Sequence, residues 1–577
     1  MAYNHPQHHI VKLPAWRRRT LLICVLAGFG ALLLRGVYLQ SLHKDFLQQK
    51  GDARYSRTLV LQAHRGKITD RNGELLAISS PVESVWASPP DVEISAQQNT
   101  ELTKLLGIKP KDFDKKIANT EREFVYLKRR MSPTAAAKIM SLQIPGIFTE
   151  HEYKRFYPAG DVTAHVVGFT GIDDNGQEGF ELAKNAELSG KPGERRVIKD
   201  RQGRIVEDLE AVKVPQDGHD LVLSIDRRIQ YLAFRELSKA VDLYKAKAGA
   251  AIVLDARTGE VLAMTNIPTY NPNNPVNIQG KTRNRCITDI YEPGSTMKPM
   301  AVSAAMEFSG FKNTTKIDTG NGTLSIGPAT IHDAHPHGVI SVEQVIQLSS
   351  NVGASKMALT LKKEELWSTF NQLGFGASTH IGFPGEANGK LRPYKTWRPI
   401  EQATMSYGHG ISVTLLQMAR AYTVFANEGE MKPVSLLKLH DVPVGHQVFS
   451  AQVASDMKDM LELVVQPGGT ATKAAISGYR VAGKTGTAHK LGPQGYEADK
   501  YVGSFVGLVP ASNPRLIMAV MIDEPAGKEY YGGTIAAPVF SAVMADTLRM
   551  LAVPQDALNT NVVIPAPTSN EDAKEVI

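Results

Sequence analysis

The stretch Tyr291-Glu292-Pro293-Gly294-Ser295-Thr296-Met297-Lys298-Pro299 decides how this chain of 577 residues is interpreted. A Pro-Gly pair before the serine is typical of the start of a helix, and the proline after the lysine has no amide proton to close back onto the serine. The pattern therefore predicts a serine in the first helical turn. Because residues three apart share a helix face, we expect the Lys298 amine to reach the Ser295 hydroxyl.

Downstream, Ser349-Ser350-Asn351 follows the apolar run Val345 to Leu348, which predicts a turn after a helix. Ser349 and Asn351 are then expected to face one cavity. The Asn351 amide carries a donor and an acceptor, so it is predicted to bridge Lys298 and a substrate amide. Ser349 is predicted to pass a proton to a leaving group.

A third segment, Lys484-Thr485-Gly486-Thr487, follows Tyr479 to Ala482 in a strand context. Gly486 leaves room for a substrate backbone, and the strand is predicted to pair with a peptide by β-addition. The charged and hydroxyl side chains suit a terminal carboxylate, and the Thr487 amide suits an oxyanion. We also expect Lys484, together with desolvation, to lower the pKa of Lys298 so that it serves as the base for Ser295.

Alternating and continuous apolar runs place strands on both sides of these segments. Two lie before the serine, in 248–255 and 260–265, and three lie after it, in the Lys484 segment, 501–509 and 516–522. Helical patterns fill most of 295–470 and return in 538–551. The prediction is an α+β domain with one five-stranded antiparallel sheet covered by helices.

The N-terminus predicts a membrane anchor. Arg17-Arg18-Arg19 precedes an apolar run from Leu21 to Leu34, and the arginines favour a cytoplasmic N-terminus. A removable signal peptide is the alternative, but the residues after Leu39 lack a small-x-small cleavage pattern. The predicted organisation is listed here: 1–19 cytoplasmic tail, 20–40 transmembrane anchor, 41–216 extended N-terminal pedestal or dimerisation-type domain, 217–552 catalytic domain and 553–577 disordered tail.

The pedestal region is rich in charge and in turn residues. Asp70-Arg71-Asn72-Gly73 predicts a tight hairpin turn. Buried ion pairs are expected to hold this scaffold, and the residues proposed for them are Arg65, Asp70, Arg71, Arg155 and Glu178. Its surface is a candidate docking site for partner proteins.

Composition excludes several classes of protein. A net charge of +7 without a basic stripe argues against a nucleic-acid partner. Cys24 lies in the apolar anchor and Cys286 in the catalytic region, so neither a disulfide nor a cysteine metal site is expected. The histidines of His332 to His337 are interpreted as a surface loop, and no metal or cofactor is predicted.

Together the motifs resemble those of the class B penicillin-binding proteins, most closely the division-specific (FtsI-like) type, penicillin-binding protein 3. The segments that carry the resemblance are the short anchor, Arg65 to Ala77, Arg155 to Gly168, Tyr291 to Pro299, Ser349 to Asn351, Gly382 to Glu386, Tyr407 to Thr414 and Lys484 to Thr487. The resemblance implies a β-lactamase-like transpeptidase domain and a serine-type D-Ala-D-Ala transpeptidase/carboxypeptidase. Ser295 would attack the penultimate D-Ala of a peptidoglycan stem pentapeptide, and an amine of a neighbouring stem would take the acyl group.

The resemblance implies further properties. β-Lactams would acylate Ser295, and an aromatic wall beside the substrate matches Tyr501, Tyr530 and Tyr531. His489 departs from the arginine of close relatives, which puts a carboxylate contact there in doubt. The implied partners are a SEDS-family septal glycosyltransferase and other division-complex membrane proteins. The implied location is the bacterial inner membrane, single-pass, with the catalytic domain periplasmic and enriched at the septum.

Other functions use the same motifs. An elongation-type class B transpeptidase is one, and a β-lactam sensor is another, although sensors usually have more membrane spans. A β-lactam-hydrolysing enzyme needs a carboxylate to activate water. The candidates for that carboxylate are Glu364, Glu365, Glu386 and Glu401. A bifunctional glycan polymerase is disfavoured because 41–216 is short and lacks an acidic glycosyltransferase signature.

Overall fold

The computed structural model describes residues 14–42, 44, 56–199, 205–492 and 495–557. They form two compact units. The first unit holds the described parts of 1–63, 84–150 and 191–216, and the second those of 64–83, 151–190 and 217–577. The predicted tails lie outside the described residues up to residue 13 and from residue 558 onward.

The first unit begins with the helix Ala15–Val37, which continues as a π-helical turn, Tyr38–Leu42. None of its side chains is buried, and it is long and apolar enough to cross a membrane once. The unit also has an antiparallel three-stranded sheet with the order Ser56–Leu61, Gly193–Lys199, Ile205–Lys213.

A small core holds the rest of the first unit. Leu102, Leu106 and Phe113 are fully buried against Leu127 and Ile139. Ser95 caps the first of the surrounding helices through a capping box, which satisfies its free amide groups. The elements around this core are the helices Ala96–Leu106, Pro110–Ile117 and Pro133–Met140 and the strands Val125–Met131 and Ile147–Phe156. The long strand Leu75–Ala87 contributes residues to both units.

The second unit is built on a five-stranded antiparallel sheet, as the sequence predicted. Its order is Val261–Ile267, Ala248–Asp255, Leu516–Asp523, Gly495–Val509, Ala482–Gly492. Every residue of the strands Ala248–Asp255 and Leu516–Asp523 is buried, which explains why both are continuous apolar runs. The strand Ala482–Gly492, named here the edge strand, is last in this order, and among the described residues it pairs with the strand Gly495–Val509 alone.

Two terminal helices pack together beside this sheet. The side chain of Asp226 caps the helix Arg227–Leu243, and Ile229 and Leu237 are fully buried on its inner face. The helix Ala537–Met550 buries Phe540 against Phe505 of the sheet, with ring centroids 5.0 Å apart. These helices, from the two ends of the catalytic region, therefore pack into one core.

Helices and short strands between residues 285 and 535 cover the remaining core. The helices are Arg285–Thr288, Lys298–Ser309, Val342–Gln347, Asn351–Ala358, Lys363–Gln372, Pro399–Met405, Leu415–Ala421, Thr423–Ala426, Ala451–Leu463 and Gly532–Ile535. The short antiparallel pairs are Lys316–Asp318 with Val339–Ser341, Thr323–Ile326 with Ala329–His332, and Glu430–Met431 with His446–Gln447. Residues 64–83, 151–190 and 217–222 add the short elements Ile68–Thr69, Ala164–Val167, Gly179–Ala183, Asn185–Leu188 and Leu221–Val222.

A buried ion-pair network stabilises the second unit near residue 65, but the prediction that Glu178 supplies its carboxylate is wrong. The Glu181 carboxylate, not that of Glu178, accepts hydrogen bonds from Arg65 Nε at 2.7 Å and Arg155 Nε at 2.6 Å. All three side chains are at most 1% exposed. Asp70 instead stabilises the predicted turn, because its carboxylate accepts from the amides of Asn72 and Glu74.

Candidate active site

Ser295 lies on a 3₁₀ turn, Gly294–Met297, that runs directly into the helix Lys298–Ser309. Tyr422 donates its hydroxyl to the Thr296 carbonyl at 2.9 Å and so fixes the turn from the core side. Gly294 has φ +56°, and a Cβ there would lie 3.3 Å from the Thr487 carbonyl oxygen. The nucleophile turn therefore rests against the edge strand.

Lys298 contacts Ser295 as predicted. Its ammonium nitrogen lies 3.0 Å from Ser295 Oγ, 2.5 Å from the Ser349 carbonyl oxygen and 3.1 Å from Ser349 Oγ. The lysine is fully buried, whereas Ser295 is partly accessible. A reactant can thus reach the hydroxyl while the amine stays out of water.

Ser349 lies between the two lysines of the motifs. Lys484 Nζ is 2.9 Å from the same Oγ that Lys298 approaches, and Lys484 is also fully buried. Ser349 has φ +62°, a conformation that non-glycine residues rarely adopt. A strained backbone at this position places the hydroxyl between the two amines.

Burial lowers the pKa values of both lysines, and the charge of Lys484 lowers that of Lys298 further. Burial lowers the pKa of Lys484 to about 7. Burial first, and the charge of Lys484 second, lower the pKa of Lys298 well below its usual value, while Asp333 opposes the shift. These are the two causes that the sequence predicted for Lys298. A neutral amine beside Ser295 Oγ is suited to remove its proton.

Asn351 makes a different contact from the one expected. Its side-chain amide donates to the His332 carbonyl at 2.8 Å, and among the described residues it forms no hydrogen bond with Lys298. Asn351 opens the helix Asn351–Ala358, whose first amides donate to Asp333 Oδ1. The histidine-rich loop therefore positions the second motif through Asp333, a role that its sequence did not reveal.

The edge strand carries the third motif. Thr485 Oγ1 lies 2.8 Å from Thr470 Oγ1, and Thr487 Oγ1 accepts from the Gly532 amide at 3.1 Å. Contacts within the protein require glycine at 486. A Cβ there would lie 2.8 Å from the Pro293 carbonyl oxygen and 2.5 Å from Ser504 Oγ. Gly486 thus lets the nucleophile turn approach the strand, whereas the sequence suggested room for a substrate.

The three predicted tyrosines form one aromatic row. The rings of Tyr501 and Tyr530 are stacked with centroids 4.0 Å apart, and Tyr531 follows at 4.5 Å. The His489 ring lies 4.6 Å from Tyr501, its partner across the strand pair. The row therefore extends from the edge strand, and Tyr531 is 58% exposed at its outer end.

The interpretation of Cys286 as a small buried residue is confirmed. Its side chain is fully buried, its sulfur contacts the Ala251 and Thr265 carbonyls, and burial raises the pKa of the thiol. A thiol in this environment is a poor nucleophile.

Two family models match the chain. One is described as the penicillin binding protein transpeptidase domain and matches residues 249–545. The other is described as the penicillin-binding protein dimerisation domain and matches residues 60–223. The first covers the five-stranded sheet and all three motifs.

Full-length relatives are similar over nearly the whole chain. The probable peptidoglycan D,D-transpeptidase PenA of Neisseria gonorrhoeae is 41% identical over 556 residues, covering 95% of each chain. The peptidoglycan D,D-transpeptidase FtsI of Escherichia coli K12 is 41% identical over 553 residues, covering 95% of this chain and 94% of FtsI.

Solved structures agree with the fold. The transpeptidase domain of Burkholderia pseudomallei penicillin-binding protein 3 is 48% identical, with a TM-score of 0.54 and coverage of 58% of this chain and 98% of that one. Penicillin-binding protein 3 of Mycobacterium tuberculosis, solved with aztreonam, is 29% identical, with a TM-score of 0.68 and coverage of 86% and 98%. The chain belongs to the class B penicillin-binding proteins, which join a dimerisation domain to a transpeptidase domain.

Proposed function

We propose that this protein is a peptidoglycan D,D-transpeptidase that cross-links stem peptides at the division septum through an acyl-enzyme on Ser295. The observation that carries the proposal is the Ser349 hydroxyl held 3.1 and 2.9 Å from two buried lysine nitrogens, one of which lies 3.0 Å from Ser295 Oγ. The names of the relatives, peptidoglycan D,D-transpeptidases, support the same activity.

Acylation follows from this geometry. Neutral Lys298 takes the hydroxyl proton as Ser295 Oγ bonds to the carbonyl carbon of the penultimate D-Ala. The bond to the terminal D-Ala nitrogen then breaks. The leaving amine takes the Ser349 hydroxyl proton, which the Lys484 ammonium replaces across 2.9 Å and then regains from solvent. Lys298 keeps the serine proton in the acyl-enzyme.

The edge strand and the tyrosine row are the proposed substrate contacts. A peptide pairing with the free side of the edge strand would extend the sheet by one strand. Thr485, Gly486 and Thr487 would then bind the end of the stem, with the Thr487 and Ser295 amides facing the developing oxyanion. The row Tyr501, Tyr530 and Tyr531 would wall this cleft, and Asn351 would contact a substrate amide after releasing its bond to His332.

β-Lactam hydrolysis is less well supported because two of its four candidate carboxylates, those of Glu386 and Glu401, already accept several hydrogen bonds. Glu386 accepts hydrogen bonds from Ser378 and Thr379, and Glu401 accepts from Arg392 and from the Arg398 amide. The hydrogen bond from the Arg398 amide, together with Arg392, lowers the pKa of Glu401 to about 2, so this carboxylate is a weak base. No specific observation favours the elongation-type or sensor alternatives.

The location and partners are part of the proposal. The helix Ala15–Val37 would anchor the chain once in the inner membrane, with Arg17 to Arg19 cytoplasmic and the catalytic domain periplasmic. The proposed organisation is 1–19 tail, 20–40 anchor, 41–216 pedestal, 217–552 transpeptidase domain and 553–577 tail. The anchor and pedestal would contact a septal glycosyltransferase and other division-complex membrane proteins.

Mass spectrometry of the intact protein after incubation with penicillin tests the proposal. We expect one stable adduct per chain, absent in Ser295→Ala and retained in the control Ser309→Ala, which alters an exposed serine at the end of the same helix. An adduct on another residue, or rapid turnover of penicillin, would contradict the proposed function.

A further inference from the structure

A threonine outside the three motifs contacts the edge strand. Thr470 Oγ1 lies 2.8 Å from Thr485 Oγ1, and either hydroxyl can be the donor. Thr485 is 8% exposed, whereas Thr470 lies at the surface. The acylation described above uses neither Thr470 nor its loop. A side chain that holds a substrate-binding residue in this way is a candidate for support of the site, because binding groups need neighbours that fix their geometry.

The backbone on both sides of Thr470 is fixed. The amides of its neighbours, Gly469 and Ala471, each donate to a backbone carbonyl at 2.9 Å. A Cβ at Gly533 would lie 2.2 Å from the Thr470 carbonyl oxygen, so the chain at Gly533 packs directly against this loop. Because its backbone is already ordered, Thr470 can present its hydroxyl to Thr485 at little further cost in conformational entropy.

The groups around the Thr485 hydroxyl decide where its hydrogen can point. A hydroxyl has one hydrogen and two lone pairs. The Lys484 ammonium, which can only donate, lies 3.4 Å from Thr485 Oγ1 and faces one lone pair. If Thr470 donates to the other lone pair, both are used and the Thr485 hydrogen is left for a ligand. If Thr485 donates to Thr470 instead, it has no hydrogen left to give.

Thr487 is an acceptor of the same kind. Residues 485 and 487 project from the same face of the edge strand, since side chains alternate along a strand. Thr487 Oγ1 accepts from the Gly532 amide at 3.1 Å, so the Thr487 hydrogen points away from that amide. Two neighbouring hydroxyls that both offer a hydrogen suit a ligand group that only accepts. A carboxylate is such a group, and its negative charge strengthens each bond.

We propose that Thr470 is a positioning residue for the carboxylate at the end of the stem peptide that acylates Ser295. Its hydroxyl donates to Thr485 Oγ1, and the Thr485 hydrogen then points to that carboxylate beside the hydrogen of Thr487. The inference rests on the proposed function and adds to its carboxylate-binding group a residue from outside the motifs. The consequence is selectivity for a free carboxylate over an ester at the same position, because the ester is the weaker acceptor.

The test compares two stem-peptide thioesters in the full-length protein. The leaving group of each ends in a carboxylate, which is free in one and methylated in the other. Thr470→Val keeps the shape of the side chain and removes one hydrogen bond. We expect its second-order acylation constant to fall about fivefold to tenfold for the free carboxylate and less than about twofold for the ester. The ester constant also shows that the variant is folded.

Two further variants serve as controls. Thr470→Ser keeps the hydroxyl and should retain the preference for the free carboxylate. Thr472→Val changes an exposed threonine two residues further along the same loop and should leave both constants unchanged. A general disturbance of the loop would instead alter both thioesters in Thr470→Val and in Thr472→Val.

A double variant shows whether Thr470 acts through Thr485. Thr485→Val alone should lower the constant for the free carboxylate at least as far as Thr470→Val, and adding Thr470→Val should change it by less than about twofold. Additive effects, an equal loss for both thioesters, loss of the preference in Thr470→Ser, or no preference in the unaltered protein would each overturn the inference. Absence of a Ser295 adduct in the unaltered protein would instead count against the proposed function.

Discussion

The repulsion between the two lysines can be removed without altering Ser295 or Lys298. Both ammonium nitrogens contact Ser349 Oγ, at 3.1 and 2.9 Å, so they are at most about 6 Å apart. At an effective dielectric constant of about 20, two unit charges at that distance repel by about 3 kcal/mol. Such an energy corresponds to a change on the order of 100-fold in a proton equilibrium.

In Lys484→Met this repulsion is absent, so the pKa of Lys298 rises and its neutral form requires a higher pH. Relative to its value at high pH, we expect penicillin acylation by this variant to fall by up to about 100-fold more at pH 6 than in the unaltered protein, on top of the loss of the Lys484 proton that reaches Ser349. The measurement is the second-order acylation constant between pH 5 and 10. Lys484→Arg keeps the charge, so the pH below which acylation falls should stay unchanged in this variant. A Lys484→Met profile that is lower at every pH, with that pH also unchanged, would refute the electrostatic role.

Further predictions concern stability and the support of the site. Glu181→Gln should lower the free energy of unfolding in denaturant by about 3–5 kcal/mol, because it leaves two buried arginines without their anion. Glu187→Gln, at an exposed pair, should change it by less than about 0.5 kcal/mol, and equal effects would contradict the burial argument. Asp333→Ala leaves the first two amides of the helix Asn351–Ala358 without their carboxylate acceptor and should cost about 1–2 kcal/mol together with slower acylation, so normal acylation would count against a positioning role. His165 is buried with its pKa lowered to about 4, so stability should fall as pH drops from the unfolded value of about 6.5, by up to about 3 kcal/mol, and His165→Gln should lack this loss in denaturation curves.

The sheet was predictable because its strands have distinct sequence patterns. Ala248–Asp255 and Leu516–Asp523 are buried on both faces and so appear as continuous apolar runs. The spacing of Ser295 and Lys298 likewise dictates their contact, since it depends only on helix geometry. The three motifs were recognisable for the same reason, because each is local.

Contacts between distant segments were less predictable. Glu181 and Glu178 are both acidic and three residues apart, and only packing decides which one meets Arg65 and Arg155. The role of Gly486 depends on the Pro293 carbonyl, almost two hundred residues earlier. Patterns of residue type carry little information on such pairings. A contact between distant segments could be predicted only for the two lysines. A base role for Lys298 requires a second cation nearby, and Lys484 was the candidate for it.

The contact between the segment Tyr407 to Gly410 and Glu292, made by the Gly410 amide, was not predicted for a related reason. The Gly-His-Gly sequence at 408–410 indicates a tight turn, and that signal was present. Nothing local connects the turn with Glu292 or Tyr496, which reach it from other parts of the chain. The structure is therefore required to see that these residues adjoin the nucleophile.

The most direct test of the central claim follows one acyl group through the Ser295 hydroxyl. The protein is acylated with a stem-peptide thioester, the adduct is mapped by peptide mass spectrometry, and a D-amino acid is then added. We expect an adduct on Ser295 that disappears at the same rate as a new peptide bond forms with the added amine. An adduct on another residue, or loss of the Ser295 adduct only by hydrolysis, would contradict it.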